Sequence, residues 1–511
     1  MSKTRAGKLL MTVGAVLFVI FAFLLICNRS MLVSDNHDEH QFMASGYLLA
    51  TKGLLPYRDY PYFHMPNLIF VYALIDKLTG FKLLYTRIFS ALFGTLTVAL
   101  LSASTFFFFE KKSLTIRFVS ALLAGLFLLA NPLFAGTSGL AWNHDVPVFF
   151  TLLAVLAYFR SKDSRRPFVL IAVSGGLLGI AIGSRSSFAT IIPAFLLTLK
   201  FHPQVKTWRS FWVALFSFTL GGAIAMLPAI VLFCLAPKNF IFGNIGYAGL
   251  NSLYRQQTGY TDGMDKIAYL SQVVLSQNAN LLILAGLLVF VLLPAWMEYR
   301  KSRSWQFTPT FLALLPVFAM VGSLLPTPSF PQYFYAPVPL IILGSSYTIS
   351  RFESEVGSKN NLYLQFFTAL ILVSAWFGLR DISVIRNTLN AQNIWYPYTM
   401  HWQAEKLTIK VASPKILTLA PIYAIEAGKE IYPEFATGPF AFRIAFLLSV
   451  DERRQYKIIA PADLEEFLRS QPPGGILTGR DPDIEMPLIN YAVSHGYKMV
   501  AFRSAYKLWV R

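Results

Sequence analysis

Residues 8–40 read KLLMTVGAVLFVIFAFLLICNRSMLVSDNHDEH, an apolar run followed by a cluster of acidic and histidine residues. The run from Lys8 to Cys27 matches the length of about 20 apolar residues that crosses the hydrocarbon core of a bilayer. A signal peptide also has an apolar core, but this run lacks a small-x-small cleavage site and many further apolar runs follow it. The stretch therefore predicts a retained first membrane helix with a polar cluster just outside it.

The rest of the chain has the same apolar character. Of its 511 residues 55% are hydrophobic and only 14% are charged, whereas soluble domains carry about 25% charged residues. The apolar runs predict an α-helical polytopic membrane protein with about eleven transmembrane helices. These predicted spans are residues 8–27, 83–108, 117–134, 143–160, 168–183, 186–200, 210–235, 279–297, 308–325, 333–350 and 362–380.

The net charge of +18 admits two interpretations. A basic chain can bind nucleic acid or acidic ligands, but here the basic residues fall in short connections, as the positive-inside rule requires. With a cytoplasmic N-terminus, every predicted inside segment is basic, and these segments contain Lys3, Arg5 and Lys8; Lys111, Lys112 and Arg117; Arg160, Lys162, Arg165 and Arg166; Lys200, Lys206 and Arg209; Arg300, Lys301 and Arg303; and Arg351 and Lys359. We therefore expect a multi-pass protein of the inner (plasma) membrane that contacts membrane lipids and no nucleic acid.

This orientation places three larger segments on the extracytoplasmic side. We predict a transmembrane domain at residues 1–380, with outer loops at 28–82 and 236–278, and a C-terminal α/β domain at 381–511. Within the C-terminal domain, strands are predicted at 415–419, 457–459 and 476–478, helices at 461–470 and 487–494, and a terminal hairpin at 498–510. This domain contains no recognisable catalytic set.

The outer loop 28–82 has two informative stretches, Asp35-Asn36-His37-Asp38-Glu39-His40 and, further on, residues 56–66, which read PYRDYPYFHMP. Carboxylates at a membrane surface can act as general bases for a hydroxyl acceptor or can hold a divalent cation. The alternative is a solvated loop with ordinary charges.

Two more polar groups lie at the outer ends of predicted spans. Asn143-His144-Asp145-Val146-Pro147 begins one span, where a helix N-cap is the alternative to a functional role. Arg185, in the sequence GSRSS, interrupts an apolar hairpin. It suits a lipid phosphate held by bidentate hydrogen bonds, and its alternative role is to extend to the membrane interface.

Tyrosines and a further arginine complete the candidates. Tyr333 and Tyr335, in the sequence PQYFYAP, suit a sugar or phosphate pocket, or alternatively an interfacial aromatic belt. Arg255, in the second outer loop, is another phosphate ligand candidate or a solvated side chain.

The histidines suggest a metal site without establishing one. His37 and His40, beside Asp38 and Glu39, are candidate ligands for Zn²⁺ or Mn²⁺, and the sequence leaves a divalent cation open. No H-x-x-x-H or C-x-x-C spacing supports such a site, and the sequence has no Walker loop, Rossmann glycine pattern or G-x-S-x-G elbow.

In this order the motifs resemble the GT-C superfamily of membrane glycosyltransferases, in particular the lipid A aminoarabinose transferases and the protein O-mannosyltransferases. The family's first outer loop begins with an Asp-Glu pair, which Asp38-Glu39 matches. The family's later motifs are matched by residues 56–57 and 62–66, by residues 145–147 (Asp-x-Pro) and by residues 332–337. The resemblance covers roughly residues 1–380.

The resemblance implies an inverting glycosyltransferase of the cell envelope, for example in lipopolysaccharide modification. The donor would be a polyprenyl-phosphate hexose or pentose and the acceptor a lipid, glycan or protein. The implied catalytic residues are Asp38 (general base), Glu39 and Asp145. The implied phosphate ligands are Arg185, Arg255, His64 and Tyr333, and the implied acceptor or sugar pocket is formed by Tyr57, Asp59, Tyr62, His144 and Tyr335.

Two departures from the family leave the sugar and the phosphate contacts open. The aminoarabinose branch often has Lys in place of His64, and Lys-Gly in place of Arg185-Ser186. The main rival function is a transporter or flippase of lipid-linked glycans, which predicts mid-span charges and broken helices. A membrane scaffold that presents the C-terminal domain is a second rival.

Overall fold

A computed structural model describes residues 3–355, 384–501 and 506–511. Its N-terminal part, up to residue 355, consists of long apolar helices joined by short helices and turns. The helices are α1 Lys3–Leu32, α2 His37–Lys52, α3 Asn67–Leu78, α4 Lys82–Phe108, α5 Leu114–Ala130, α6 Pro132–Thr137, α7 Asp145–Ser161, α8 Pro167–Ser184, α9 Ile192–Leu199, α10 Trp208–Ala225, α11 Leu227–Leu235, α12 Pro237–Ile241, α13 Tyr247–Gln257, α14 Lys266–Tyr269, α15 Asn278–Gly286, α16 Leu293–Ser302, α17 Phe307–Leu324 and α18 Pro337–Glu355.

Short 3-10 or π-helical stretches interrupt this series. The 3-10 stretches are Ser186–Ile191, before α9, and Pro331–Tyr335, before α18. The π-helical stretches are Phe242–Gly246, Leu270–Val274 and Leu287–Leu292. The last of these joins α15 to α16 in one apolar segment.

The helices confirm a multi-pass membrane protein, but they do not confirm eleven spans. Among the described residues, five segments are long and apolar enough to cross a membrane: Gly7–Leu32, Lys82–Phe108, Pro167–Ser184, Ala279–Ser302 and Phe307–Leu324. A sixth is added if α10 and α11, which are bent by 64° relative to each other, form one span. Several other predicted runs form shorter helices, such as α5 and α7 with 17 residues each, and the predicted span 362–380 lies outside the described residues.

Glycines allow two of the apolar helices to meet through their backbones. A Cβ atom on Gly175 of α8 would lie 2.0 Å from the carbonyl oxygen of Phe218, and one on Gly221 of α10 would lie 1.9 Å from that of Ala172. Small residues at such a crossing are typical of membrane helices, because lipid offers no hydrophobic driving force and close packing must supply the attraction.

The C-terminal part forms a small α/β unit. Its helices are α19 Val384–Leu389, α20 Ala391–Ile394, α21 Tyr396–Lys410, α22 Pro421–Glu426, α23 Pro439–Ile444, α24 Val450–Tyr456, α25 Leu464–Arg469 and α26 Pro482–Ser494. Its strands are β1 Lys415–Thr418, β2 Glu430–Ile431, β3 Gly475–Thr478, β4 Lys498–Ala501 and β5 Lys507–Val510. The sheet order is β2-β1-β3-β5-β4, in which β2, β1 and β3 are parallel and β5 is antiparallel to both of its neighbours.

Most of the predicted elements of this unit are confirmed. The strands at 415–418 and 475–478, the helices near 464 and 487, and the terminal hairpin are present. The predicted strand 457–459 is wrong, because Ser449 caps α24 through a capping box and Lys457 ends that helix in the left-handed conformation, with φ of 58°. The short strand β2 was not predicted.

The outer loop and the C-terminal unit share a core. Buried side chains of α2 and the following loop, such as Phe42 and Tyr60, belong to one apolar cluster with Met400, Ile422 and Leu477. The loop that holds the acidic motif is therefore fixed between the membrane helices and the C-terminal unit.

Candidate active site

The N-terminus of α2 positions Asp38, the first carboxylate of the Asp38-Glu39 pair. The Asn36 side chain accepts a hydrogen bond from the Glu39 backbone N–H at 3.0 Å, and the Glu39 carboxylate accepts one from the Asn36 N–H at 3.1 Å. This capping box starts the helix at His37 and places Asp38 in its first turn. Asp38 remains 27% exposed, with its Oδ1 3.8 Å from His64 Nε2. It therefore combines an accessible carboxylate with a fixed position.

Glu39 has no such freedom. Its side chain is fully buried and forms a bidentate ion pair with Arg87 of α4, at 2.8 and 2.7 Å. Its Oε1 also accepts a hydrogen bond from the Ala141 N–H at 2.7 Å. With the bond from Asn36, four donors occupy the two oxygens, so the geometry gives Glu39 a structural role in place of the catalytic role expected from the sequence.

Arg87 was not among the sequence candidates, although it joins three parts of the chain. Besides Glu39, it donates to the carbonyl oxygens of Ser30, Val33 and Ser34 at 2.7–3.1 Å. The available signal was an arginine just inside an apolar run, where an ionisable side chain needs a partner. Its function is to fix the end of α1 against the start of α2.

Arg185 lies at the end of α8 within a group of polar and aromatic side chains. Its guanidinium donates to Asn143 Oδ1 at 2.9 Å and to Ser187 Oγ at 3.2 Å, and lies 3.3 Å from His144 Nε2. It also lies over the ring of Tyr333, 4.8 Å from the centroid. These contacts hold a cation at a narrow cavity that is lined by Arg185, His144, Tyr333 and Tyr335.

Electrostatics connect this cation to Asp38. Burial alone would raise the pKa of the Asp38 carboxyl, but His64, Arg185 and His37 lower it below its usual range. The structure thus brings Asp38, His64, Arg185 and Tyr333, four of the predicted site residues, into one electrostatic environment. Asp38 is ionised at neutral pH, as a proton acceptor must be.

Asp145 is fully buried at the start of α7, and both of its oxygens have partners. Oδ2 accepts a hydrogen bond from the Gly139 N–H at 2.7 Å, and Oδ1 lies 3.3 Å from the hydroxyl of Tyr335. Neither oxygen contacts Asp38. The geometry makes Asp145 a residue that positions Tyr335 at the wall of the cavity.

The aromatic residues of the outer loop are mostly packed inside it. Tyr57 is buried, has a φ of 65°, and bonds through its hydroxyl to the carbonyl oxygen of His64. Tyr62 packs edge-on against Tyr57 with a ring-centroid distance of 5.6 Å, and Asp59 accepts bonds from Arg58 and from the Leu55 N–H. Of the predicted sugar pocket, Tyr57, Tyr62 and Asp59 therefore shape the loop, and only His144 and Tyr335 line the cavity.

The structure separates the two histidines that were candidate metal ligands. His40 is buried, donates from Nε2 to Asp35 at 2.6 Å and accepts from the Ile422 N–H at Nδ1, which fixes its neutral tautomer and occupies both nitrogens. His37 Nε2 lies 3.5 Å from Oδ1 of Asp481 in the C-terminal unit. In the described part of the chain no three His, Cys, Asp or Glu side chains form a group that could hold a metal ion.

Asp35 also ties the outer loop to the C-terminal unit. Its carboxylate accepts a hydrogen bond from Tyr396 and lies 3.0 Å from Arg480 Nη1, and its carbonyl oxygen accepts from Arg480 Nη2 at 2.9 Å. Burial would raise the pKa of Asp35, but His40, Arg480 and Tyr396 together lower it. No sequence signal identified Arg480, because its partner lies 445 residues away.

Arg255 lies at the end of α13, Tyr247–Gln257. Its guanidinium stacks over Tyr260 at 4.2 Å, and its Nε is buried without a hydrogen-bond partner among the described residues. A second arginine, Arg443 of α23, donates to the hydroxyl of Tyr247 at 2.7 Å. Arg443 was not a sequence candidate, since nothing in the local sequence distinguishes it from a solvated arginine.

The sequence matches no family model, and no curated protein matches it. In three dimensions the chain is similar to the crystal structure of ArnT from Cupriavidus metallidurans bound to undecaprenyl phosphate, with a TM-score of 0.59, 12% identity and 98% of each chain covered. The apo state of the same ArnT gives a TM-score of 0.58 and 13% identity over 98% of each chain.

A weaker likeness is to the oligosaccharyltransferase AglB from Archaeoglobus fulgidus in complex with an inhibitory peptide and a dolichol-phosphate. It has 11% identity and covers 94% of this chain and 70% of AglB, but its TM-score of 0.47 is too low to support an argument. The match to ArnT extends over nearly the whole length of both chains, membrane helices and C-terminal unit together. The chain therefore has the fold of the ArnT structures, one of the families that the motifs resemble.

Proposed function

We propose that this protein transfers a sugar from a polyprenyl-phosphate carrier to an acceptor on the extracytoplasmic side of the inner membrane. The observation that carries the proposal is the accessible, ionised carboxylate of Asp38 in the same electrostatic environment as Arg185. A base and a fixed cation are the two groups that a glycosyl transfer from a lipid phosphate needs. ArnT, whose fold this chain shares, was crystallised with undecaprenyl phosphate, and this supports a polyprenyl-phosphate sugar as the donor.

In the proposed reaction Asp38 accepts the proton of an acceptor hydroxyl or amine, whose oxygen or nitrogen forms a bond to the anomeric carbon. The bond from that carbon to the phosphate oxygen breaks on the opposite face, so the configuration at the anomeric carbon inverts. Polyprenyl phosphate leaves with the bonding electron pair. Arg185, Tyr333 and Arg255 stabilise the negative charge that develops on the phosphate.

His64 orients Asp38 in this scheme, and the cavity residues His144 and Tyr335 contact the sugar. Asp145 acts indirectly, through its hydrogen bond with Tyr335. Glu39 takes no part in proton transfer, because four donors occupy its oxygens. The acceptor class, whether lipid, glycan or protein, remains that of the sequence prediction.

The contacts of the outer loop support an orientation with the C-terminal unit on the same side of the membrane as Asp38. Asp35 and His40, close to Asp38 in the chain, contact Arg480 and Ile422 directly. With the basic connections on the opposite side, the N-terminus is cytoplasmic and the unit after residue 381 is extracytoplasmic.

The bent helix pair α10 and α11 gives little support to a transporter function. The 64° bend between α10 and α11 lies at residues 225–228, which read AMLP and include no ionisable group. Binding sites at broken transporter helices use half-helix ends to hold a charged substrate near the middle of the membrane. The polar groups described above instead gather around the outer loop and the C-terminal unit.

The test is a turnover assay with purified protein in lipid, offered a panel of polyprenyl-phosphate sugars with membrane acceptors. The assay follows the release of polyprenyl phosphate with and without EDTA. We expect release with one donor and a loss of at least about 100-fold in Asp38→Asn, the usual scale for a general base. Asp451→Asn, an exposed carboxylate of the C-terminal unit, is the matched control and should keep wild-type turnover. Full turnover by a folded Asp38→Asn variant would remove Asp38 from this role, and no release from any donor would favour the transporter.

A further inference from the structure

Arg443 of the C-terminal unit is a buried cation with incomplete partners. Its side chain is 7% exposed, and its Nη2 donates to two neutral acceptors, the hydroxyl of Tyr247 at 2.7 Å and Oδ1 of Asn251 at 2.6 Å. Its Nε is buried and has no hydrogen-bond partner in the part of the chain that the structure describes. A guanidinium that has lost most of its hydration needs an anion or a full set of acceptors, and these two neutral oxygens supply only part of that set.

Within the described ranges, Arg255 of α13 likewise lacks hydrogen-bond acceptors for part of its guanidinium. It is half-buried at the end of α13, the helix that also contains Asn251, and its Nε is buried without a partner among the described residues. Burial and the positive charge of Arg443 both lower the pKa of Arg255. Arg443 contacts the same helix, through Asn251 Oδ1 at 2.6 Å and through the ring of Tyr254, whose centroid is 5.7 Å from its guanidinium carbon. Both arginines therefore lie at α13, although one belongs to the second outer loop and the other to the C-terminal unit.

Tyr247 connects this pair of arginines to the candidate active site. Its hydroxyl accepts the Arg443 hydrogen bond, and its ring stacks on Phe63, next to His64 in the chain, with a centroid distance of 4.0 Å. The pKa of Tyr247 is raised by burial and by the Asp38 carboxylate, and Arg443 and Arg255 act against that rise. The arginine pair thus faces the same region as Asp38.

We propose that Arg443 and Arg255 together bind one phosphate group of a ligand of this site, so that the C-terminal unit completes the binding pocket. A phosphate group offers the oxygen acceptors that both unpartnered Nε–H groups require, and it neutralises two like charges held at the same helix. The inference rests on the proposed transferase function. The phosphate comes either from the lipid-linked donor or from an acceptor that has its own phosphate.

The experiment measures binding to the full-length protein in nanodiscs of phosphatidylcholine, at one salt concentration. Undecaprenyl phosphate is the probe for the donor, undecaprenol is the control that lacks the phosphate, and inorganic phosphate tests the group by itself. The variants are Arg443→Gln, Arg443→Lys and Arg255→Gln. Arg469→Gln, an exposed arginine on α25 of the same unit, is the control for the loss of one positive charge.

We expect Arg443→Gln and Arg255→Gln each to weaken phosphate binding by about tenfold or more, since each removes a charge-assisted donor. Arg443→Lys keeps the charge and loses the planar guanidinium, so its affinity for phosphate should lie between that of the two Gln variants and that of the wild type. Undecaprenol binding and the Arg469→Gln variant should not change. Weaker binding of both undecaprenyl phosphate and inorganic phosphate assigns the site to the donor, and weaker binding of inorganic phosphate alone assigns it to an acceptor phosphate.

Unchanged affinity for both phosphate probes in Arg443→Gln would overturn the proposal. If Arg443 only holds the C-terminal unit against α13, Arg443→Gln lowers thermal stability in the absence of ligand and leaves phosphate affinity as it was. If Arg443→Gln does not fold, Arg443→Lys and Arg255→Gln decide the same question. The binding readout is independent of turnover, so a failure of Asp38 as general base leaves this test intact.

Discussion

Loss of charge at the adjacent residues Asp38 and Glu39 should have opposite effects: the change at Glu39 lowers stability and spares turnover, and the change at Asp38 lowers turnover and spares stability. Glu39→Gln removes the anion that faces the fully buried Arg87, leaving a charge among backbone carbonyls and one amide. Breaking a buried ion pair from one side costs about 3–5 kcal/mol. Asp38→Asn affects a partly exposed carboxylate whose ion-pair partner, His64 Nε2, is 3.8 Å away, so we expect a cost of at most about 1 kcal/mol.

The assay pairs denaturant unfolding in lipid or detergent, followed by tryptophan fluorescence, with turnover under conditions where each variant remains folded. Glu39→Gln should unfold at a much lower denaturant concentration and retain turnover while it stays folded. Asp38→Asn should unfold like the wild type and lose turnover. A double variant, Glu39→Leu with Arg87→Met, should recover part of the lost stability, because an apolar pair leaves no unpaired buried charge. A Glu39→Gln variant with wild-type stability and no turnover would refute the structural role of Glu39.

The remaining predictions concern pH. Burial raises the pKa of Asp38 and His64 lowers it, so His64→Ala should raise this pKa. The acid limb of the plot of turnover against pH should then move to higher pH. An acid limb that stays in place would show that His64 does not act on Asp38. The pKa of Asp35 is also lowered in the folded protein, so its ion pair with Arg480 stabilises the fold fully above the unfolded value of about 3.9 and less as the pH falls below it. Asp35→Asn should therefore lower the free energy of unfolding at pH 7 and reduce the loss of that free energy between about pH 4 and pH 2, as measured by unfolding at each pH. If the variant loses as much stability over this range as the wild type, other groups cause the loss.

Local sequence signals were sufficient where the position of a side chain depends on its neighbours in the chain. Asp38 belongs to an acidic pair directly after the first apolar run, so its place just outside the first membrane helix could be inferred from the local sequence, whereas the helix that Asn36 caps there was not predicted. Arg185 interrupts an apolar hairpin, and such a residue is conspicuous in a membrane protein. Both positions could be proposed as functional from the sequence alone.

The same local reasoning could not separate Asp38 from Glu39. The two carboxylates are adjacent, but on a helix adjacent residues point about 100° apart, and here one faces the open site and the other faces Arg87. Likewise Tyr57 and Tyr62 resemble pocket residues in the sequence, but they are packed against each other inside the loop. Side-chain direction relative to distant partners decides such cases, and the sequence contains no direct record of it.

By itself the sequence determined that this is a multi-pass membrane protein with a polar site next to its first helix, because apolar runs of sufficient length have no other stable solvent than lipid. Only the tertiary structure decided which polar groups meet. Asp35 and Arg480 are 445 residues apart in the chain, and Asn251 and Arg443 are 192 residues apart. Such pairs form because folding buries charges that must then find partners, and the position of the C-terminal unit over the outer loop determines which partners are within reach.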